Sequence, residues 1–184
     1  MEYELIRSRR RTFSIEVRAG KVLVRAPLRA SRIAVERFVA SRSGWIEGQL
    51  ARYRASCEAL PGLAPLTRED LAALTERARA VIPARVAYYA PLVGVTYNRV
   101  TIRCQKTRWG SCSSKGNLNF NCLLLLAPPE VLDSVVVHEL CHRLVMDHSP
   151  RFYAQVRRVF PEYDLRNDWL RRNGQALFGL LPPD

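Results

Sequence analysis

A chain of 184 residues with 48% hydrophobic and 25% charged content has the size and balance of a soluble globular protein, one domain or one domain with an attached subdomain. No apolar run approaches the ~18 residues of a membrane span, and Met1–Phe13 lacks an apolar stretch of secretory-signal length, so a cytoplasmic protein with no membrane association is expected. Five cysteines (Cys57, Cys104, Cys112, Cys122, Cys141) without a C-x-x-C pair argue against a disulfide framework and for packed thiols, and a net charge of +12 favours an anionic substrate or partner, nucleic acid included.

Residues 5–17 alternate apolar and polar, Ala19-Gly20 offers a turn, and Lys21–Ala26 alternates again, which predicts a β-hairpin. Residues 31–55 read as helical, with Ser31 as N-cap and Ile33, Val35, Phe38, Val39, Trp45, Ile46 and Leu50 buried. Pro61–Pro65 marks a loop or linker. Thr67 caps a second helix running to about Tyr89, in which Pro83 predicts a kink or break. Strands are predicted at Val93–Gln105 and Leu118–Leu126, joined through the Ser- and Gly-rich segment Ser111–Gly116. Pro128-Pro129-Glu130 opens a further helix, and Ser149-Pro150 the next, with Phe152, Val156 and Val159 as its buried stripe. A last short helix is expected over Asp164–Asn173, ended by Gly174. This is an α+β chain read as a single domain over 1–184, with an N-terminal hairpin-and-helix portion (1–60) and a catalytic core (67–184).

All three histidines fall in the run His138-Glu139-Leu140-Cys141-His142-Arg143-Leu144-Val145-Met146-Asp147-His148. On a helix, His138 and His142 share a face and can direct nitrogens at one ion. Glu139 lies about 100° round the axis, where it can hold a metal-bound water without joining the ligands. A third imidazole leaves the fourth tetrahedral position open, the pattern of a catalytic zinc site. The flanking Val135, Val136, Val137, Leu140, Leu144 and Val145 are apolar, so polar side chains among them would be costly to bury without a shared task. Cys141 is expected to pack rather than to ligate. Asp133 reads as a helix-start charge and, like Asp147, as a possible partner for a ligand histidine.

A straight helix would carry His148 about 15 Å along the axis from His138, so the helix must end between Leu144 and Asp147 and the chain must turn back. Metzincin proteases make this turn with a glycine three residues after the second histidine. Val145 stands there instead, β-branched and averse to positive φ, so a metzincin is disfavoured and the turn is built differently.

The chain resembles the bacterial YgjP-like metal-dependent hydrolases, a family similar in its site to the SprT and WLM zinc peptidases. The likeness is carried by Arg9–Pro27, by Arg99–Leu126 with its core Gln105-Lys106-Thr107-Arg108-Trp109-Gly110-Ser111-Cys112-Ser113, by Pro128–Tyr153 and by Trp169-Leu170. It implies a zincin-like fold, a small antiparallel sheet packed on the H-E-x-x-H helix and followed by C-terminal helices. It also implies His138, His142 and His148 as metal ligands, Glu139 as general base, and the Thr107–Cys112 segment close to the site. Arg143 and Tyr153 stand where leucine and tryptophan are expected, a difference that should alter packing only.

The expected function is zinc-dependent hydrolysis of metallopeptidase type, with one catalytic Zn²⁺ and a Glu139-activated, metal-bound water attacking a peptide-like carbonyl. The substrate would pair with an edge strand at Leu118–Leu123. Candidate substrate contacts or transition-state donors are Lys106, Arg108, Trp109, Ser111, Asn119 and Tyr153. An alternative is a zinc-dependent nucleotide phosphohydrolase, such as a nucleoside triphosphate pyrophosphatase, favoured by the absence of any acidic residue between Glu76 and Glu130. Against it, the chain has neither a G-x-x-x-x-G-K-[ST] loop nor a carboxylate cluster for Mg²⁺. A second alternative is a nucleic-acid-binding module with a structural metal and Trp109, Tyr97 and Phe120 as stacking rings.

Overall fold

A computed structural model describes residues 2–60 and 62–182 and gives a mixed α+β chain with two small sheets and six α-helices among the described residues. Pro61 of the expected loop lies outside them. The chain divides into two compact units, one formed by residues up to Ala64 together with Arg172–Leu180, the other by Pro65–Arg171 and the residues after Leu180. Among the described residues no helix is long and apolar enough to cross a membrane.

In the first unit, β1 (Glu4–Ser8), β2 (Ser14–Arg18) and β3 (Lys21–Pro27) form a sheet in the order β1-β3-β2. β2 and β3 are the expected antiparallel hairpin, from Ser14↔Arg25 to Arg18↔Lys21. Ala19 (φ 49) and Gly20 (φ 72) supply the two positive φ values of a type I′ turn. Gly20 is also constrained by space, since a Cβ there would stand 2.8 Å from Tyr53 Cε1. β1 is not part of the hairpin strand as its alternation suggested. It is a separate edge strand paired parallel to β3, Glu4 opposite Leu23. The helical stretch is two helices, α1 (Arg32–Ala40) and α2 (Ser43–Glu58), with Ser31 accepting from the Ala34 amide as N-cap. Val22, Val24, Ala26, Val35, Val39 and Ile46 form the core, with Leu50 packed against it. Ile33 and Trp45, expected inside, are exposed. Ile33 lies about 200° round the helix from Val35 and Trp45 about 100° from Ile46, off the single stripe a surface helix buries.

In the second unit, α3 (Arg68–Val93) starts with a full capping box between Thr67 and Asp70 and ends at Gly94 in the left-handed region (φ 84). It passes through Pro83 without a break. Leu74, Ala78, Ile82, Val86 and Ala90, four residues apart and buried, hold one face continuously. That packing outweighs the single helical hydrogen bond that proline cannot donate.

β4 (Arg99–Arg103), β5 (Gly110–Cys112) and β6 (Asn117–Asn121) form the second sheet, in the order β4-β6-β5. β4 runs parallel to β6 and β5 antiparallel to it, so the sheet is mixed rather than antiparallel. The expected substrate-pairing edge, Leu118–Leu123, is therefore the central strand, its hydrogen bonds taken on both sides. Beyond Asn121 the apolar run is not strand at all. The Asn121 side chain accepts from the Leu123 amide (3.1 Å) and caps a 3₁₀ turn over Cys122–Leu126.

α4 (Pro129–Cys141) carries the histidine motif and lies against α3, β5, the 3₁₀ turn and α5 (Pro150–Val159). Asp133 on α4 does not serve as a helix-start charge or reach a histidine. It accepts two hydrogen bonds from Arg85 (2.7 and 2.6 Å) and one from the Tyr89 hydroxyl (3.2 Å), tying α4 to α3. Ser149 caps α5, whose Phe152 and Val156 are buried. The last helix, α6 (Tyr163–Gly179), continues through Gly174, because the buried Ala176, Leu177 and Phe178 that follow offset the cost of an interior glycine.

Candidate metal centre

The regular part of α4 ends at Cys141 with His142 as its C-cap, before the expected point. Two i→i+3 bonds tighten the last turn, from the Arg143 amide to Leu140 and from the Leu144 amide to Cys141 (both 2.9 Å), and the Val145 amide closes it on the Cys141 carbonyl (3.1 Å). Among the described residues no positive φ occurs between His142 and His148, so the reversal accommodates Val145 in ordinary backbone. Asp147 then accepts from the Ser149 amide (2.9 Å), an Asx turn that leads into α5 rather than a bond to a ligand histidine. This path folds His148 back over α4, and ligand nitrogens of His138, His142 and His148 all lie within 4.8 Å of one another.

The rings are oriented as well as gathered. Nδ1 of His138 is 2.8 Å from the Tyr163 hydroxyl, and Nδ1 of His142 is 3.1 Å from the Val145 carbonyl. Both helix imidazoles thus engage Nδ1 outward and turn Nε2 inward, where Nε2 of His138 stands 3.1 Å from Nε2 of His148. With Nδ1 engaged elsewhere, His138 and His142 each keep Nε2 free to face inward, and three imidazole nitrogens within 4.8 Å of one another fit a metal ion. The fully buried Phe152 ring stacks on His142 (4.4 Å, 22°) and meets His138 and His148 edge-on at 4.8 and 5.1 Å, an apolar wall common to all three. Burial, helped by the neighbouring imidazoles, drives the His138 pKa down to about 3, and burial also lowers that of His142. Neutral imidazoles are the form a metal needs. Cys141 is fully buried and its thiol is pushed up to about 11 by desolvation, as a packing thiol should be.

Glu139 is 6% exposed, and burial pushes its carboxyl up to about 8. Its neighbour is Gly110 of β5, where a Cβ would sit 2.6 Å from Oε1. The Thr107–Cys112 segment thus runs directly beside Glu139. Asn121, which carries no motif of its own, shapes the approach. Its Nδ2 donates to the carbonyls of Gln105 (2.7 Å) and Arg108 (2.9 Å), and its amide donates to Trp109 (2.8 Å).

The other expected site residues divide. Tyr153 comes to the histidines, its ring 6.1 Å from His148 and from Tyr163, with Arg157 5.5 Å above it. Ser111 and Asn119 are cross-strand partners bonded to each other (3.1 Å). Since side chains alternate along a strand, they lie on the sheet face opposite the one where Gly110 meets Glu139. Lys106, Arg108 and Trp109 belong to the segment that Asn121 holds ahead of β5. Arg143 does more than pack. It donates to the carbonyls of Thr96 (3.1 Å) and Ser114 (2.8 Å), joining the turn after α4 to the β5–β6 turn. Tyr163 and the Val145 carbonyl leave no mark in the sequence pattern. A backbone carbonyl has no sequence signature, and Tyr163 lies beyond the helix-spaced pattern that exposes the histidines.

Three imidazoles that could hold one metal ion converge on the helix turn that also carries the buried Glu139 carboxylate. The YgjP-like metallopeptidase domain matches residues 11–71 and 63–173, and the chain belongs to the YgjP-like metallopeptidase family. No curated protein matches the chain. A crystal structure of the metallopeptidase zymogen of Pyrococcus abyssi abylysin is 24% identical over 50% of this chain and 90% of its own, with a TM-score of 0.44.

Proposed function

We propose that this chain is a zinc-dependent peptidase of zincin-like architecture, with His138, His142 and His148 as ligands and Glu139 as general base. The observation that carries the reading is the buried Glu139 carboxylate, set between the imidazoles that converge at the end of α4 and the sheet edge at β5. Three neutral imidazoles suit Zn²⁺ better than Mg²⁺ or Ca²⁺, which take oxygen ligands. Zinc when bound supplies Lewis acidity, lowering the pKa of a coordinated water towards ~7 and polarising the scissile carbonyl.

Glu139 takes the proton of the attacking water and delivers it to the departing amine. Its burial keeps the carboxylate basic enough for that transfer. β5 is the strand with one free edge beside Glu139, so an extended peptide adds there by main-chain hydrogen bonds and presents a carbonyl to the site. Of the candidate donors, Tyr153 is the best placed to steady the developing oxyanion, because its ring stands beside His148. Ser111 and Asn119 face away. Lys106, Arg108 and Trp109 flank β5 and bear on substrate residues rather than on the reacting carbonyl.

One observation favours a nucleotide phosphohydrolase instead. No acidic residue lies between Glu76 and Glu130, and the exposed Arg108 and Lys115 side chains have no hydrogen-bond or ion-pair partner among the described residues. A phosphate chain would find unopposed cations there, and the same charge suits a nucleic-acid partner that presents the substrate. The test is to incubate zinc-loaded wild type and Glu139→Gln with an unfolded protein and, separately, with a nucleoside triphosphate panel. New peptide termini from the wild type alone support the peptidase. Glu139-dependent release of pyrophosphate or phosphate without new termini moves the function to the phosphohydrolase.

A further inference from the structure

We infer that Tyr163 is a positioning residue for the metal site. Its hydroxyl accepts a hydrogen bond from Nδ1–H of His138 and thereby fixes which ring nitrogen His138 gives to the ion. The inference rests on the reading of His138 as a ligand.

The geometry is specific. The Tyr163 hydroxyl lies 2.8 Å from Nδ1 of His138, on the side of the ring away from the other two histidines. The two rings are nearly parallel, 20° apart with centroids at 5.8 Å, and Tyr163 is 4% exposed. The hydroxyl is itself held. Tyr163 is the first residue of α6, and the adjacent Asp164 accepts two hydrogen bonds from Arg157 of α5 (2.8 and 3.1 Å). Arg157 also covers the Tyr153 ring, which flanks Tyr163. The corner between α5 and α6 thus sets one oxygen behind one ligand.

A neutral imidazole carries its proton on one ring nitrogen and offers the lone pair of the other. With an acceptor at Nδ1, the proton is satisfied there and Nε2 faces inward as a ligand. Without it, the buried Nδ1–H has no partner, or the ring adopts the other tautomer and aims an N–H at the ion. His142 receives the same service from the Val145 carbonyl. The two helix ligands are therefore fixed by groups of different kinds, one of them a side chain that substitution can remove.

The test compares zinc dissociation constants of wild type, Tyr163→Phe and His138→Ala, measured by competition with a chromophoric chelator. Circular dichroism melts of the zinc-free proteins run beside it. Tyr163→Phe keeps the ring and removes only the oxygen. The expected result is zinc affinity about 10- to 100-fold weaker at an unchanged stoichiometry, with a shifted absorption spectrum for the cobalt-substituted variant. Wild-type affinity and spectrum in Tyr163→Phe would overturn the role of Tyr163 alone. Wild-type affinity in His138→Ala would overturn the ligand reading beneath it. A second readout needs no variant. In zinc-loaded wild type, ¹⁵N spectra should show His138 protonated at Nδ1, with a slowly exchanging ring N–H. A proton on Nε2 would contradict the inference outright.

Discussion

Gly110 on β5 and Glu139 on α4 are packed so closely that a methyl group on the glycine would lie 2.6 Å from Oε1 and 2.7 Å from Cγ of the glutamate. The contact explains a glycine inside a short edge strand, where its lack of a side chain otherwise weakens the ladder. The edge strand can run over the carboxylate because nothing projects from it there.

Gly110→Ala should therefore displace the Glu139 carboxylate rather than unfold the chain, since the clashing atoms belong to a side chain. Displacement of a general base by about 1 Å costs on the order of 10²-fold in rate. The expected outcome is a loss of that size in kcat with zinc content unchanged and stability lowered by no more than about 1–3 kcal/mol. A Gly110→Ala enzyme with wild-type kcat would show that the carboxylate has room the structure denies it.

The protonation of Glu139 should be readable in the stability of the chelator-treated, metal-free protein. Its carboxyl sits at about 8 in the native state because of burial, against 4.5 for the ordinary group. Between those values the native chain holds a proton that the unfolded chain has lost. The native state binds more protons, so this contribution falls as pH rises through the window, by up to about 1.4 kcal/mol per pH unit. His138 acts in the opposite sense. Its native value of about 3 against 6.5 makes stability rise across that lower range. Urea denaturation of wild type and Glu139→Gln isolates the glutamate, because the histidine contribution cancels in the difference. The wild type should lose ground to the variant between about pH 4.5 and 8, and a difference that stays level over that range contradicts the burial of this carboxyl.

The clamp between α3 and α4 is a structural counterpart to the site. Asp133 keeps 10% of its side chain exposed and Arg85 38%, so removing the arginine leaves a largely buried carboxylate with only the longer Tyr89 bond. Arg85→Ala should destabilise the protein by about 1–3 kcal/mol, discounted for the solvent that reaches the guanidinium. Chemical denaturation measures it, and a loss below about 0.5 kcal/mol would mean that water replaces the arginine freely.

What could be read from the sequence was what the chain decides locally. The caps at Ser31, Thr67 and Ser149 and the Ala19-Gly20 turn depend on residues within three or four positions, and each is where the pattern put it. The parallel pairings of β1 with β3 and of β4 with β6 join distant segments and leave no such mark. Local preference alone makes Pro83 and Gly174 interruptions, and tertiary packing of the residues around them overrides it. Leu118–Leu126 shows the limit most plainly. The alternating Leu118–Asn121 passes into the apolar Cys122–Leu126, and the buried Asn121 between them turns strand into 3₁₀ helix through its bond to the Leu123 amide.

The site was legible to the same extent. Its histidines lie in one short segment at helical spacing, so the pattern alone brings them together. The groups that orient them come from elsewhere. Tyr163 reaches His138 from another helix, a backbone carbonyl serves His142, and β5 is brought to Glu139 by the sheet. Ser111 and Asn119 looked like donors by type, and only the strand register shows that they face the other way.

His138, His142 and His148 are proposed to hold one metal ion jointly, with Glu139 beside it and outside the ligand set. Equilibrium zinc binding to the wild type, to three single histidine-to-alanine variants and to Glu139→Gln tests it directly. One zinc per wild-type chain is expected, with a large loss of affinity in each histidine variant and retention of the ion in Glu139→Gln. A wild type that takes up no zinc, or a His148→Ala variant that binds it as tightly as the wild type, would contradict the claim.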